Sequence, residues 1–88
     1  KAMYCLVVNL GQQKTIPVHT DIRDSFLWQA IGSVEWRICE TQSEDSVYQI
    51  LTVNPGDVLF VPSGLIHTVF CKDPRAGISI FYDKETHQ

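Results

Sequence analysis

Turn-forming residues cut this 88-residue chain into runs too short for ordinary helices and well suited to strands. The breaks fall at Gly11, Pro17, the polar stretch Asp21 to Asp24, Gly32, the loop Glu40 to Ser46, Asn54-Pro55-Gly56-Asp57, Pro62-Ser63-Gly64 and the polar loop Lys72 to Ala76. Between them lie eight runs rich in β-branched and aromatic residues, at 2–9, 14–19, 26–31, 34–39, 47–53, 58–61, 67–71 and 77–82. Strands recurring every ~10 residues are the pattern of all-β sandwiches and barrels. In the fourth run Val34, Trp36 and Ile38 alternate with Glu35, Arg37 and Cys39, which predicts a strand with one buried face. Pro17 cannot donate to a central ladder, so its run is expected at a sheet edge or a bulge. The predicted architecture is all-β: one domain over residues 1–88, with eight short strands in two facing sheets that close into a small jelly-roll barrel.

The interior of such a barrel is narrow, so a polar side chain pointing inward needs an explanation. Pro55 to His67, reading PGDVLFVPSGLIH, delivers one. A turn leads into an apolar strand, Pro62 and Gly64 end it, and His67 enters the next strand from a stiff corner, where a ligand with little positional slack would be useful. The spacing of Gly56, Pro62, Gly64 and His67 resembles the second sequence motif of the cupin superfamily, whose histidine is a metal ligand; Cys71 stands where that motif usually has asparagine. The partners it calls for appear at His19 and Asp21, which share a face if the strand runs on through Asp21. Two imidazoles and one carboxylate form the facial triad of non-haem Fe(II) oxygenases and leave coordination positions open. The blander readings are a local ion pair or turn for His19 and Asp21 and a satisfied core histidine for His67.

His19-Thr20-Asp21, followed by Asp24, Phe26, Leu27, Gln29, Gly32 and Trp36-Arg37-Ile38, resembles the first metal-binding segment of the JmjC-type cupins. Within them, the likeness is to the subgroup of ribosomal-protein hydroxylases and the asparaginyl hydroxylase that acts on hypoxia-inducible factor. The resemblance implies a cupin-type double-stranded β-helix, Fe(II) held by His19, Asp21 and His67, and 2-oxoglutarate as co-substrate. It also suggests that Ser79 on the last strand assists the co-substrate, with Arg23 close enough in sequence to swing in. The chain departs from the pattern at Val34, where these oxygenases carry the lysine or arginine that binds the far carboxylate of 2-oxoglutarate; Arg37 is no substitute, because alternation puts it on the opposite face. The ordinary cupin motif fits less well, with Asp21 and Ser25 standing where histidine and glutamate belong.

Seven basic and ten acidic side chains give a net charge of −3 with no basic cluster, so no nucleic-acid surface is expected. No run is long enough for a membrane helix. Cys5, Cys39 and Cys71 form no Cys-x-x-Cys pair and are too few for a disulfide scaffold, which favours a reducing cytoplasm and three small buried residues. Trp28 and Trp36, with Val34, are candidate pocket walls, the tryptophans having core or subunit-interface packing as their alternative. A chain this short is marginal alone, so pairing with a second copy is expected unless further parts of a longer protein cover it. Three functions stay open: an Fe(II)-dependent oxygenase hydroxylating a small molecule or a peptide side chain, a metal-binding cupin that needs no 2-oxo acid, and a non-catalytic binding or dimerisation module.

Overall fold

The computed structural model describes residues 2–11 and 13–82. Eight strands follow one another: β1 (Ala2–Asn9), β2 (Gln13–His19), β3 (Asp24–Ile31), β4 (Val34–Cys39), β5 (Val47–Val53), β6 (Val58–Val61), β7 (His67–Cys71) and β8 (Arg75–Tyr82), with one 3-10 turn at Glu44–Ser46. They form two antiparallel sheets, ordered β1-β8-β3-β6 and β2-β7-β4-β5. The chain changes sheet at every connection except β4 to β5, which winds it into the jelly roll expected from its turns.

Three strand starts differ from those read in the sequence, that of β2 by the single residue Gln13. β3 begins at Asp24 and β8 at Arg75, so Arg75 and Ala76 belong to a strand rather than to the polar loop. Cys39 follows a register shift after Ile38 and is buried, as is Cys71, whereas Cys5 is exposed rather than buried. Pro17 lies on β2, an edge strand with two register shifts against β7, as a residue without an N–H requires.

The core lies between the sheets. Leu27 and Val61 of the first sheet meet Val34, Trp36, Ile38, Val53, Val69 and Cys71 of the second. Gln29, fully buried, donates from Nε2 to the carbonyls of Ile31 and Gly32 and so shapes the β3–β4 turn. Gly32 holds that turn at φ 71°, and a Cβ there would lie 2.3 Å from the Pro74 carbonyl oxygen. Two turns far apart in sequence thus touch through backbone.

The outer faces contrast. On the second sheet the Arg37 guanidinium lies over the Phe70 ring and pairs with Glu35. On the first, two apolar rows cross all four strands: Tyr4, Ile80, Phe26 and Phe60, then Leu6, Ile78, Trp28 and Val58. Several of these are well exposed, including Tyr4 at 79% and Leu6 at 70%. Among the described residues no helix is long and apolar enough to cross a membrane.

Candidate metal centre

Backbone hydrogen bonds bring the end of β2 to the turn between β6 and β7. Gly64 N–H donates to the Asp21 carbonyl at 2.9 Å, Ser63 N–H to Asp24 Oδ1 at 2.7 Å, and Cys39 N–H to the Ile66 carbonyl at 2.8 Å. The Pro-Ser-Gly corner is therefore tied on both sides, and His19 and His67 stand opposite each other in register. β2 itself ends at His19, so the strand does not run on through Asp21. The carboxylate nevertheless reaches the same place from the following bend, held by the bond to its own carbonyl.

His19, Asp21 and His67 each offer a ligand atom, and these atoms lie within 4.8 Å of one another. Nδ1 of His19 is 2.8 Å from the Pro17 carbonyl, and Nδ1 of His67 is 2.9 Å from the Leu65 carbonyl. A carbonyl only accepts, so each Nδ1 carries the proton and each Nε2 presents its lone pair. Those Nε2 atoms lie 3.6 Å and 3.9 Å from the two Asp21 carboxylate oxygens. Cis donors bonded to one ion at ~2.1 Å stand about 3 Å apart, so the donor set fits a divalent metal after small side-chain rotations. Carbonyl bonds on the far ring nitrogens are also what orients ligating histidines and makes them better donors.

The environment favours the ligating form of His67. Its side chain is 2% exposed and stacks on Trp36, with ring centroids 4.5 Å apart and 19° between planes. Burial is the largest influence on its pKa and lowers it; His19 acts the same way, while the Leu65 carbonyl and Asp21 oppose. The folded-state pKa thus lies below the unfolded value of 6.5, so the stability contributed by neutral His67 is full above pH 6.5 and lost as pH falls through the folded value. The urea midpoint of the metal-free chain is accordingly expected to fall more steeply below pH 6.5 in the wild type than in His67→Phe. Equal slopes would contradict this account.

A cavity of about 270 Å³ opens over the three residues, between the sheets. Arg23, Ser79 and Trp36 line it, together with Cys5, Ser25 and Phe81. Arg23 sits with its guanidinium 5.7 Å from the Phe81 ring centroid. Val34 is buried in the core beside a shallower groove and is not part of this cavity wall. Trp28 is not a wall either: it faces outward, 43% exposed, in the apolar row of the first sheet. The residue that the sequence reading missed is Arg75. It lines the cavity, is 3% exposed, and donates from Nε to Asn9 Oδ1 at 2.6 Å.

An eight-stranded jelly roll with a His-Asp-His group at the mouth of its cavity is a cupin with a candidate metal centre. The sequence profile of the JmjC domain matches residues 2–88, and the chain belongs to that family. No curated protein matches it by sequence. Among solved structures, a cupin-2 domain protein from Shewanella frigidimarina superposes with a TM-score of 0.71 at 18% identity, covering 90% of this chain and 68% of that one. The DMSP lyase DddQ from Ruegeria pomeroyi gives 0.73 at 21%, covering 98% and 41%, and the ribosomal oxygenase YcfD from Escherichia coli gives 0.76 at 22%, covering 94% and 23%. The chain therefore spans about a quarter of YcfD, and at these identities the likeness is one of fold.

Proposed function

We propose that this chain carries the metal centre of an Fe(II)-dependent oxygenase that hydroxylates a small molecule or a peptide side chain with a 2-oxo acid as co-substrate. The observation that carries the reading is the pair of histidines whose Nδ1 atoms are committed to carbonyls while both Nε2 atoms face the Asp21 carboxylate at a cavity mouth. His19, Asp21 and His67 would hold the ion, and Fe(II) with a bound 2-oxo acid supplies oxygen activation. The protein's own part is positional. Trp36 and the Leu65 carbonyl fix the His67 ring, the Pro17 carbonyl fixes His19, and the apolar walls Val7, Leu27, Val61 and Phe81 limit water.

A second copy of the chain is part of the same proposal, as the cover for the apolar outer face of β1, β8, β3 and β6. Tyr4, Leu6, Trp28, Val58 and Phe60 on it are exposed, and such aromatic and aliphatic side chains are what a standard interface of roughly 800 Å² per partner buries.

Anaerobic titration with Fe(II) and then 2-oxoglutarate tests the reading. A visible metal-to-ligand charge-transfer band that needs both is the expected result. Iron binding without a band would replace it with a cupin acting without a 2-oxo acid, for which the apolar Val34 would then speak. No iron binding would leave a binding module. Light scattering on the same sample is expected to give a dimer, and a monomer at every concentration would remove the second copy.

A further inference from the structure

Trp36 carries one polar atom that the site described so far does not use. The side chain is 6% exposed, and its indole Nε1–H, which can only donate, is buried with no acceptor among the described residues. Buried tryptophans ordinarily find a partner for this group, and leaving it unpaired is costly. Among the described residues the one other such side-chain atom is Gln29 Oε1, on a residue that does not line the cavity. Trp36 does line it, and its ring lies on the His67 imidazole with 19° between planes. The stack accounts for the face of the indole. The N–H calls for an acceptor that enters the cavity from outside.

We propose that the Trp36 N–H is a binding group for an oxyanion, donating to a carboxylate oxygen of a ligand in the cavity. A carboxylate has two oxygens, so one can meet the ion that His19, Asp21 and His67 would hold while the other accepts from the indole. A hydrogen bond to a charged acceptor is roughly twice as strong as a neutral one. The apolar walls Val7, Leu27, Val61 and Phe81 favour it further, because a low local dielectric strengthens such a bond. The indole reads only an acceptor. A nitrogen ligand such as imidazole, whose free ring nitrogen is itself a donor once the other is bound to an ion, gains nothing from it. Coordination of the carboxylate rests on the function proposed above; the hydrogen bond does not.

Nitrogen-15 NMR of the indole groups reads this bond directly. Trp28 is the other tryptophan and faces outward, so Trp28→Phe leaves the Trp36 signal alone in the spectrum and identifies it. In the Zn(II)-loaded chain, acetate is expected to move the Trp36 N–H proton downfield, and imidazole is not. Trp36→Phe keeps a ring beside His67 and drops the donor; it is expected to bind acetate about tenfold more weakly and imidazole as before. A Trp36 signal that acetate leaves in place overturns the proposal, and one already downfield before acetate is added assigns the N–H to a buried water instead. Equal losses for acetate and imidazole in Trp36→Phe overturn it too, since they would mean that the indole only packs. If that variant does not fold, the wild-type signal decides alone. If the chain binds no Zn(II), the metal reading fails, and acetate added to the metal-free chain decides the hydrogen bond: downfield movement of the Trp36 proton supports it, and no movement removes it.

Discussion

Replacing His67 by alanine is expected to lower divalent-metal affinity by roughly a hundredfold or more while leaving the barrel folded, since loss of even an outer partner of a metal ligand costs 10–100-fold. His67 is the most buried of the three ligand residues and the one whose ring is fixed on two sides, by the Leu65 carbonyl and by the Trp36 indole. Its removal takes away one donor and leaves a gap beside Trp36, for which about 1–2 kcal/mol of stability is the expected cost. Calorimetric titration with Ni(II) reads the first effect and urea unfolding the second. Added imidazole should restore part of the metal binding by occupying the gap, which separates a lost ligand from a damaged fold. Undiminished affinity in the variant would mean that the metal sits elsewhere.

Gly32→Ala is the second large effect, and it needs no metal. The new methyl would meet the Pro74 carbonyl at 2.3 Å and the Arg75 Cα at 3.1 Å, on a residue already at φ 71°. Left-handed backbone at a non-glycine residue costs about 1–2 kcal/mol, and forced overpacking adds about 1–3 kcal/mol. A domain of this size has only about 4–13 kcal/mol in total. Gly64→Ala is the control: its φ is 87°, but a Cβ there meets nothing within 4 Å, so only the backbone cost of about 1–2 kcal/mol is expected. Urea midpoints that fall equally in the two variants would show that the β3–β4 turn does not press on the start of β8.

The strands were legible because each is bounded by a glycine, a proline or a polar cluster, and β1, β4, β5, β6 and β7 fall where those breaks put them. What the sequence could not convey is which face of the first sheet points inward. Alternation along β8 separates Ile78, Ile80 and Tyr82 from Gly77 and Ser79, and the usual rule would bury the first set. The fold does the reverse: the inner side carries Arg75, Gly77, Ser79 and Phe81, three of which line the cavity, while the isoleucines face out. The same reversal sends Trp28 outward and away from the cavity. Arg75 escaped notice because Lys72, Asp73 and Pro74 give its surroundings a loop composition, and a lone charge after a proline reads as solvated. The period-2 pattern from Arg75 through Phe81 was the signal that could have found it. The bend that brings the Asp21 carboxylate to the histidines is set by the contact with Gly64, more than forty residues away, and no local pattern encodes it.

The two apolar rows on the first sheet also give the molecule a direction. One flank mixes Glu35, Arg37 and Thr52 with the exposed Ile50, whereas the other, from Tyr4 across to Phe60, carries no charged side chain in either row and is most at home dry. The barrel is thus amphipathic at the scale of a whole domain, as a surface helix is at the scale of a turn. Any packing that shelters the dry flank fixes the azimuth of the barrel, and with it the bearing on which a substrate must approach the cavity between the two sheets. Selectivity for large substrates would then be set partly by what stands beside the mouth, before any side chain inside it is touched.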